Sequence, residues 1–132
     1  MDANPGRGIA GDPTAAIRVP PVIDGTSFGE IVINGRTYFS DMTVYWDGRL
    51  AVRGKEHVLE MGEFMKVLKS GPDIVVLGAG QTGVVNIARE VVEWAKNKGM
   101  HIYRESTPKA VEMFNAFAGS GRKVVGIFHV TC

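Results

Sequence analysis

The chain is poor in cysteine and has no long apolar run. Cys132 is the only cysteine among 132 residues, which excludes an internal disulfide framework and a metal cluster built from several thiolates. No apolar stretch approaches the roughly 20 residues of a membrane-spanning helix, and the N-terminus lacks the apolar core of a signal peptide. These absences predict a soluble, cytoplasmic protein without a membrane partner.

An excess of charge of one sign is also absent. Fifteen Lys and Arg residues face fourteen Asp and Glu residues, which gives a formal net charge of +1. No block of like charge occurs, so the chain lacks the basic patch that binds nucleic acid. We expect no nucleic-acid partner.

Length and composition set the domain organisation. A chain of 132 residues with 45% hydrophobic content suits one core and is too short for two full domains. Residues 1–21 are rich in glycine and proline without apolar periodicity, which predicts a flexible tail. Residues 22–132 are predicted to form a single α/β domain.

The first half of that domain has the pattern of a β-meander. From Phe28 onward apolar residues alternate with polar ones, and the dipeptides Asn34-Gly35 and Asp47-Gly48 interrupt the alternation. Such dipeptides favour type I′ turns, where both residues take positive φ. We therefore predict a series of hairpins.

The second half alternates between strand and helix patterns. The predicted elements, in chain order, are a helix through 61–68, a strand at 74–77, a helix at 84–98, a strand at 101–103, a helix from Thr107 to Gly119 or Gly121, and a strand at 124–130. With right-handed crossovers, this order gives a largely parallel layer covered by helices. The predicted fold class is a three-layer α/β domain with a mixed central sheet, in which hairpins precede β-α-β-α-β.

A glycine turn follows the strand at 74–77. Gly78, Gly80 and Gly83 form a G-x-G-x-x-G pattern, and Glu105 stands at about the distance at which an acidic residue binds a ribose. However, the sixty or so residues from Asp73 supply only one half of a dinucleotide fold. The alternatives are a small-residue turn that allows close packing, and an anion site on the N–H groups at 80–84, at a predicted helix N-terminus.

No catalytic or metal site emerges from the spacing of residues. His57, His101 and His129 are far apart and no H-x-x-x-H motif occurs. His129 and Cys132 are three residues apart and should face opposite sides of a regular strand. Because no G-x-S-x-G elbow is present either, we predict no catalytic residue, no metal and no cofactor.

Several segments resemble a known family of small α/β proteins of unknown function, which includes the human adipogenesis-associated protein and a mitochondrial complex I assembly factor. The resembling segments are 76–80, 105–111, 114–116, 121–124 and 126–132. The ending Gly126–Cys132 is most similar to the adipogenesis-associated branch. The resemblance implies a three-layer fold with a mixed central sheet and no established catalytic residues. Members of particular branches act in assembly or regulation through protein contacts.

These observations define the candidate ligand-binding residues: Gly78, Gly80, Gln81, Thr82, Gly83, Thr107, Asn115 and Arg122. Thr107 is expected to cap a helix, and Asn115 to tie that helix to the glycine turn or face a ligand. Arg122 is expected to pair with a carboxylate or bind an anion. The favoured hypothesis is a non-catalytic interaction or assembly domain, with possible dimer formation through a strand edge. The alternative is a small-ligand or enzymatic site at the glycine turn.

Overall fold

The computed structural model describes residues 19–132, so the tail predicted for 1–21 lies almost wholly outside the described residues. The described chain begins with three antiparallel strands, β1 (Ile23–Ser27), β2 (Glu30–Ile33) and β3 (Arg36–Tyr38). They form a separate small sheet in the order β1-β2-β3.

A mixed five-stranded sheet forms the centre of the molecule. Its strands are β4 (Asp41–Val44), β5 (Leu50–Arg53), β7 (Ile74–Ala79), β9 (His101–Glu105) and β10 (Val124–His129). They lie in the order β9-β7-β10-β4-β5. The pairs β9-β7 and β7-β10 are parallel, whereas β10-β4 and β4-β5 are antiparallel.

The central sheet separates two apolar layers. Along β7 and β10 successive side chains point to opposite faces, and every residue of both strands is buried. Val76 and Phe128 pack with the third helix and the small sheet, while Leu77 and Ile127 pack with the first two helices. The predicted α/β fold class with a mixed central sheet and N-terminal hairpins is confirmed.

The helices are α1 (Met61–Leu68), α2 (Arg89–Lys98) and α3 (Thr107–Gly119). The prediction for α2 was wrong at its start, because residues 84–88 are not helical. Asn86 N donates to His57 O and Ala88 N to Leu59 O, so β8 (Asn86–Ile87) pairs in parallel with β6 (Val58–Leu59). Those backbone groups are used in strand pairing, and the helix begins only after them.

The two hairpin dipeptides differ in conformation. Asn34 and Gly35 both have positive φ, at 51° and 79°, as the type I′ prediction requires. At the second dipeptide Gly48 has φ of 97° but Asp47 does not have positive φ. A bond from Tyr45 N to Arg49 O closes this longer turn, so the type I′ prediction is wrong there.

Candidate functional site

The glycine turn after β7 is occupied by the protein's own chain. Gly80 N donates to Thr107 Oγ1 at 2.9 Å, Thr82 N donates to the Cys132 oxygen at 2.8 Å, and Gly83 N donates to Gly80 O at 3.3 Å. No helix begins at this turn, because α2 starts at Arg89. These three amides therefore do not form a phosphate cradle at a helix N-terminus, as a dinucleotide turn would require.

Close packing explains two of the three glycines. A Cβ on Gly78 would lie 2.9 Å from the Phe128 ring and 3.2 Å from Thr107 Cα. A Cβ on Gly80 would lie 2.8 Å from the oxygens of Thr131 and Cys132, and Gly80 has φ of +103°. Gly83 also has positive φ, but no atom lies within 4 Å of its Cβ position. Gly78 and Gly80 thus allow β7 to approach α3 and the end of β10.

Thr107 joins the three segments that meet at this edge. Its side chain is fully buried, and its hydroxyl accepts from Gly80 N and donates to His129 O at 2.5 Å. The predicted role of this hydroxyl as a helix cap is wrong, since it bonds to Gly80, just after β7, and to β10 rather than to α3. Thr107 instead fixes the position of His129 relative to the glycine turn.

Asn115 and Arg122 lie away from the glycine turn. The Asn115 amide donates to Ile23 O at 2.8 Å and accepts from Ile23 N at 3.0 Å, so it ties α3 to β1. Arg122 precedes β10, at the opposite end of the parallel strands, and its Nε is 3.9 Å from Asp73 on the surface. The structure therefore does not bring either residue to the candidate site.

Among the described side chains, a single buried polar atom has no hydrogen-bond partner, and it belongs to Gln81. Its Nε2 has no hydrogen-bond partner among residues 19–132. A buried amide donor without an acceptor is uncommon and requires a structural explanation. Gln81 directly follows Gly80, so this donor belongs to the same turn.

A buried carboxylate–imidazole pair lies beside the turn. Asp41 Oδ2 is 2.6 Å from His129 Nδ1, and both side chains are fully buried. Asp41 Oδ1 also accepts from Val130 N at 3.1 Å. An ionised carboxylate only accepts hydrogen bonds, so this contact requires the proton on Nδ1 of His129. The second ring nitrogen, Nε2, lies 3.2 Å from Thr131 Oγ1.

Arg53 supports Asp41 from the neighbouring strand. Its Nη1 lies 3.4 Å from Asp41 Oδ2 and donates to Glu56 O at 3.2 Å. Its Nε and Nη2 bind the two oxygens of Glu63 at 2.5 and 3.1 Å. A bidentate guanidinium–carboxylate pair holds both groups in a defined geometry. Asp41 therefore has three fixed partners, namely His129, Arg53 and the Val130 amide.

His57 and Cys132 complete a cluster around His129. One ring nitrogen of each histidine and Cys132 Sγ all lie within 4.8 Å of one another. The two rings meet edge to face, with centroids 5.1 Å apart. The expectation that His129 and Cys132 face opposite sides is wrong, because β10 ends at His129 and Cys132 has φ of 47°. The chain turns there instead of continuing as a strand.

The sequence did not predict a role for Asp41 or Arg53. It also did not predict that His57, His129 and Cys132 lie together in one cluster. The members come from strands or loops far apart in the chain, and Asp41 and His129 alone are 88 residues apart. Asp41 opens a short strand in which all four residues are buried, but this burial is visible only in the structure. A buried acid in such a strand requires partners.

Comparison with known proteins gives the family. Residues 23–129 match the sequence model of a protein family of unknown function, DUF498/DUF598. The chain belongs to that family.

Solved structures share the fold. MT938 is 26% identical, with a TM-score of 0.71 over 85% of this chain and 99% of its own. A conserved hypothetical protein from Pyrococcus horikoshii is 25% identical, with a TM-score of 0.75 over 83% of this chain and 98% of its own. A Bordetella pertussis protein with an Mth938-like domain is 14% identical, with a TM-score of 0.60 over 92% of this chain and 91% of its own.

None of the helices within residues 19–132 combines the length and the apolar composition that crossing a bilayer requires.

Proposed function

We propose that this protein acts on a small electrophilic molecule through the Cys132 thiol, with His129 as its base. The observation that carries the proposal is the buried Asp41–His129 hydrogen bond of 2.6 Å. A nucleophile, an adjacent base and a carboxylate that orients the base are the three parts of a nucleophilic triad. This arrangement adjoins the glycine turn, where a small-ligand or enzymatic site is the alternative hypothesis from the sequence.

The chemistry follows from the two nitrogens of His129. With Nδ1 bonded to Asp41, Nε2 carries the lone pair in the neutral ring. A ring nitrogen of His129 lies within 4.8 Å of Cys132 Sγ, so the thiol first moves into hydrogen-bond distance of Nε2. Nε2 then takes the thiol proton while the sulfur attacks an electrophilic acyl carbon. The bond from that carbon to its leaving group then breaks, and the imidazolium returns the proton to the leaving group. The product is a thioester on Cys132, which water can hydrolyse.

Two features support access of a small substrate. Cys132 is exposed, whereas His129 behind it is buried. Thr131, whose hydroxyl is 3.2 Å from His129 Nε2, can pass a hydrogen bond between the base and the substrate.

The rate of Cys132 alkylation tests this proposal, because Cys132 is the only cysteine in the chain. The folded protein is treated with iodoacetamide at neutral pH in EDTA, and modification is followed by mass spectrometry. The thiolate is the reactive form, so H129Q should react at least about tenfold more slowly than the native protein. H101Q is the matched control, because His101 is exposed on β9 at the far end of the sheet. Equal rates in the native protein and H129Q would reject thiol activation.

Acyl transfer requires its own measurement. With p-nitrophenyl acetate, the native protein should release p-nitrophenol and carry one acetyl group on Cys132, and C132A should carry none. Acetylation spread over lysines, with no preference for Cys132, would remove the proposed reaction.

A second candidate function is assembly through the edge strand β5. Within residues 19–132, β5 pairs only with β4, and Val52 on it is 71% exposed. A second copy of the chain can pair with this edge in antiparallel fashion about a twofold axis. The resemblance to a family in which some branches act in assembly or regulation through protein contacts also supports this candidate.

Sedimentation velocity tests the assembly candidate. V52K should shift a dimer to monomer, because it places a charge on the pairing edge. V92K should leave the dimer unchanged, because Val92 is an exposed residue of α2 rather than of β5. A native protein that sediments as a monomer at high concentration would exclude this candidate.

A further inference from the structure

We propose that His57, His129 and Cys132 form a binding site for a divalent cation of the zinc class. The inference goes beyond thiol activation, because it needs His57 as a direct ligand and does not require any reaction at Cys132. Its basis is the convergence of three donor atoms within 4.8 Å of one another.

The donor set selects the type of metal. Two imidazoles and one thiolate suit Zn²⁺ and chemically similar ions, whereas Mg²⁺ and Ca²⁺ prefer oxygen ligands. Around a tetrahedral zinc ion, bonds of about 2.0 to 2.3 Å place the donors roughly 3.3 to 3.8 Å apart. The donor atoms must therefore move closer by roughly 1.0 to 1.5 Å from their present upper limit of 4.8 Å. His57 and Cys132 are exposed, so their side chains are free to make that movement.

Asp41 prepares His129 for this role. Histidine ligands of metals usually donate their other ring N–H to a carboxylate, which fixes the tautomer and raises the basicity of the ligand. Asp41 makes that contact with Nδ1 at 2.6 Å, which leaves Nε2 for the metal. The hydroxyl of Thr131 would then give up its contact with Nε2 and could turn toward a metal-bound water.

The charges behind the cluster also favour a cation. Arg53 lies between the carboxylates of Asp41 and Glu63 and contacts both. The three groups together leave one net negative charge, so the buried guanidinium does not repel an ion at His129. The Cys132 thiolate adds a second negative charge as a direct ligand.

Three protein ligands leave one coordination position open. Structural zinc sites are usually closed by four protein ligands, whereas sites with three protein ligands bind water or another molecule in the fourth position. Metal binding and electrophile binding would compete for the same sulfur. Bound Zn²⁺ should therefore slow alkylation of Cys132 in the native protein.

Cobalt provides a spectroscopic probe for the site. The full chain is reduced, stripped with EDTA, exchanged into chelator-free buffer and titrated with Co²⁺, and the thiolate-to-cobalt charge-transfer band is recorded. The native protein should show this band with one equivalent bound, and Zn²⁺ should displace the cobalt. Circular dichroism establishes that each variant is folded.

Three variants define the ligands. C132S should lose the charge-transfer band, and H57Q should weaken Co²⁺ binding by more than about a hundredfold, because direct ligands exceed the 10 to 100-fold effect of their outer partners. H101Q should bind like the native protein. A native protein without the band, or H57Q with unchanged affinity, would overturn the proposed site. The alkylation test of the proposed function is made in EDTA, so failure of metal binding and failure of thiol activation are read separately.

Discussion

Asp41 Oδ2 and His129 Nδ1 lie 2.6 Å apart between two adjacent antiparallel strands, and neither side chain is exposed to solvent. The pair is held from behind by Arg53. The same hydrogen bond therefore contributes to folding and fixes the orientation of the His129 ring, whose second nitrogen contacts Thr131 Oγ1.

Replacing Asp41 by asparagine should destabilise the fold. D41N keeps the shape of the side chain but removes the charge that pairs with His129 and Arg53. Loss of one partner of a buried ion pair costs about 3 to 5 kcal/mol, and urea unfolding measures the change in the free energy of unfolding. E93Q is the control, because Glu93 is exposed on α2 and surface changes stay within about 0.5 kcal/mol. Equal unfolding midpoints for D41N and E93Q would contradict the structural role of the pair.

Two glycines of the turn should respond differently to alanine. Gly80 and Gly83 both have positive φ, but only Gly80 has atoms close to its Cβ position. G83A should lower the free energy of unfolding by about 1 kcal/mol, because alanine at this positive φ strains the backbone. G80A should lower the free energy of unfolding by more than that, which urea unfolding measures. It should also displace Thr131 and Cys132, which a changed alkylation rate of Cys132 would report. If G80A and G83A lowered the free energy of unfolding by the same amount, close packing would not explain why glycine occupies position 80.

Removal of the Thr107 hydroxyl should weaken the edge that holds His129. T107V has nearly the same shape but leaves the buried Gly80 N–H without its acceptor, at a cost of about 1 to 3 kcal/mol. T107S retains the hydroxyl and loses one methyl group, so its cost should be smaller, at about 1 kcal/mol. Urea unfolding of the two variants gives the comparison. A T107S protein less stable than T107V would show that packing, rather than the hydroxyl, dominates at this position.

The sequence predicted most of the fold because the controlling features are local. Apolar alternation, the Asn34-Gly35 turn and the apolar stripe of α1 each depend on residues close together in the chain. The start of α2 could not be predicted in this way. Residues 84–88 carry helix-like spacing, but their backbone groups bond to His57 and Leu59, and such distant pairing leaves no local signal.

The site was less predictable than the fold for the same reason. The glycine turn was visible as a motif, and Gly80 does lie beside the cluster. The chemistry, however, depends on Asp41, His57 and His129, which only the strand order brings together. The end of β10 at His129 was also decisive, because a continued strand would have pointed His129 and Cys132 in opposite directions.

The central claim is that Asp41 fixes the proton on Nδ1 of His129 and leaves Nε2 for the thiol or a metal. A long-range ¹H–¹⁵N NMR correlation spectrum of the native protein in EDTA identifies which ring nitrogen of each histidine is protonated. The account predicts a proton on His129 Nδ1, and loss of that proton signal in folded D41N. A neutral His129 ring protonated only on Nε2 would contradict it.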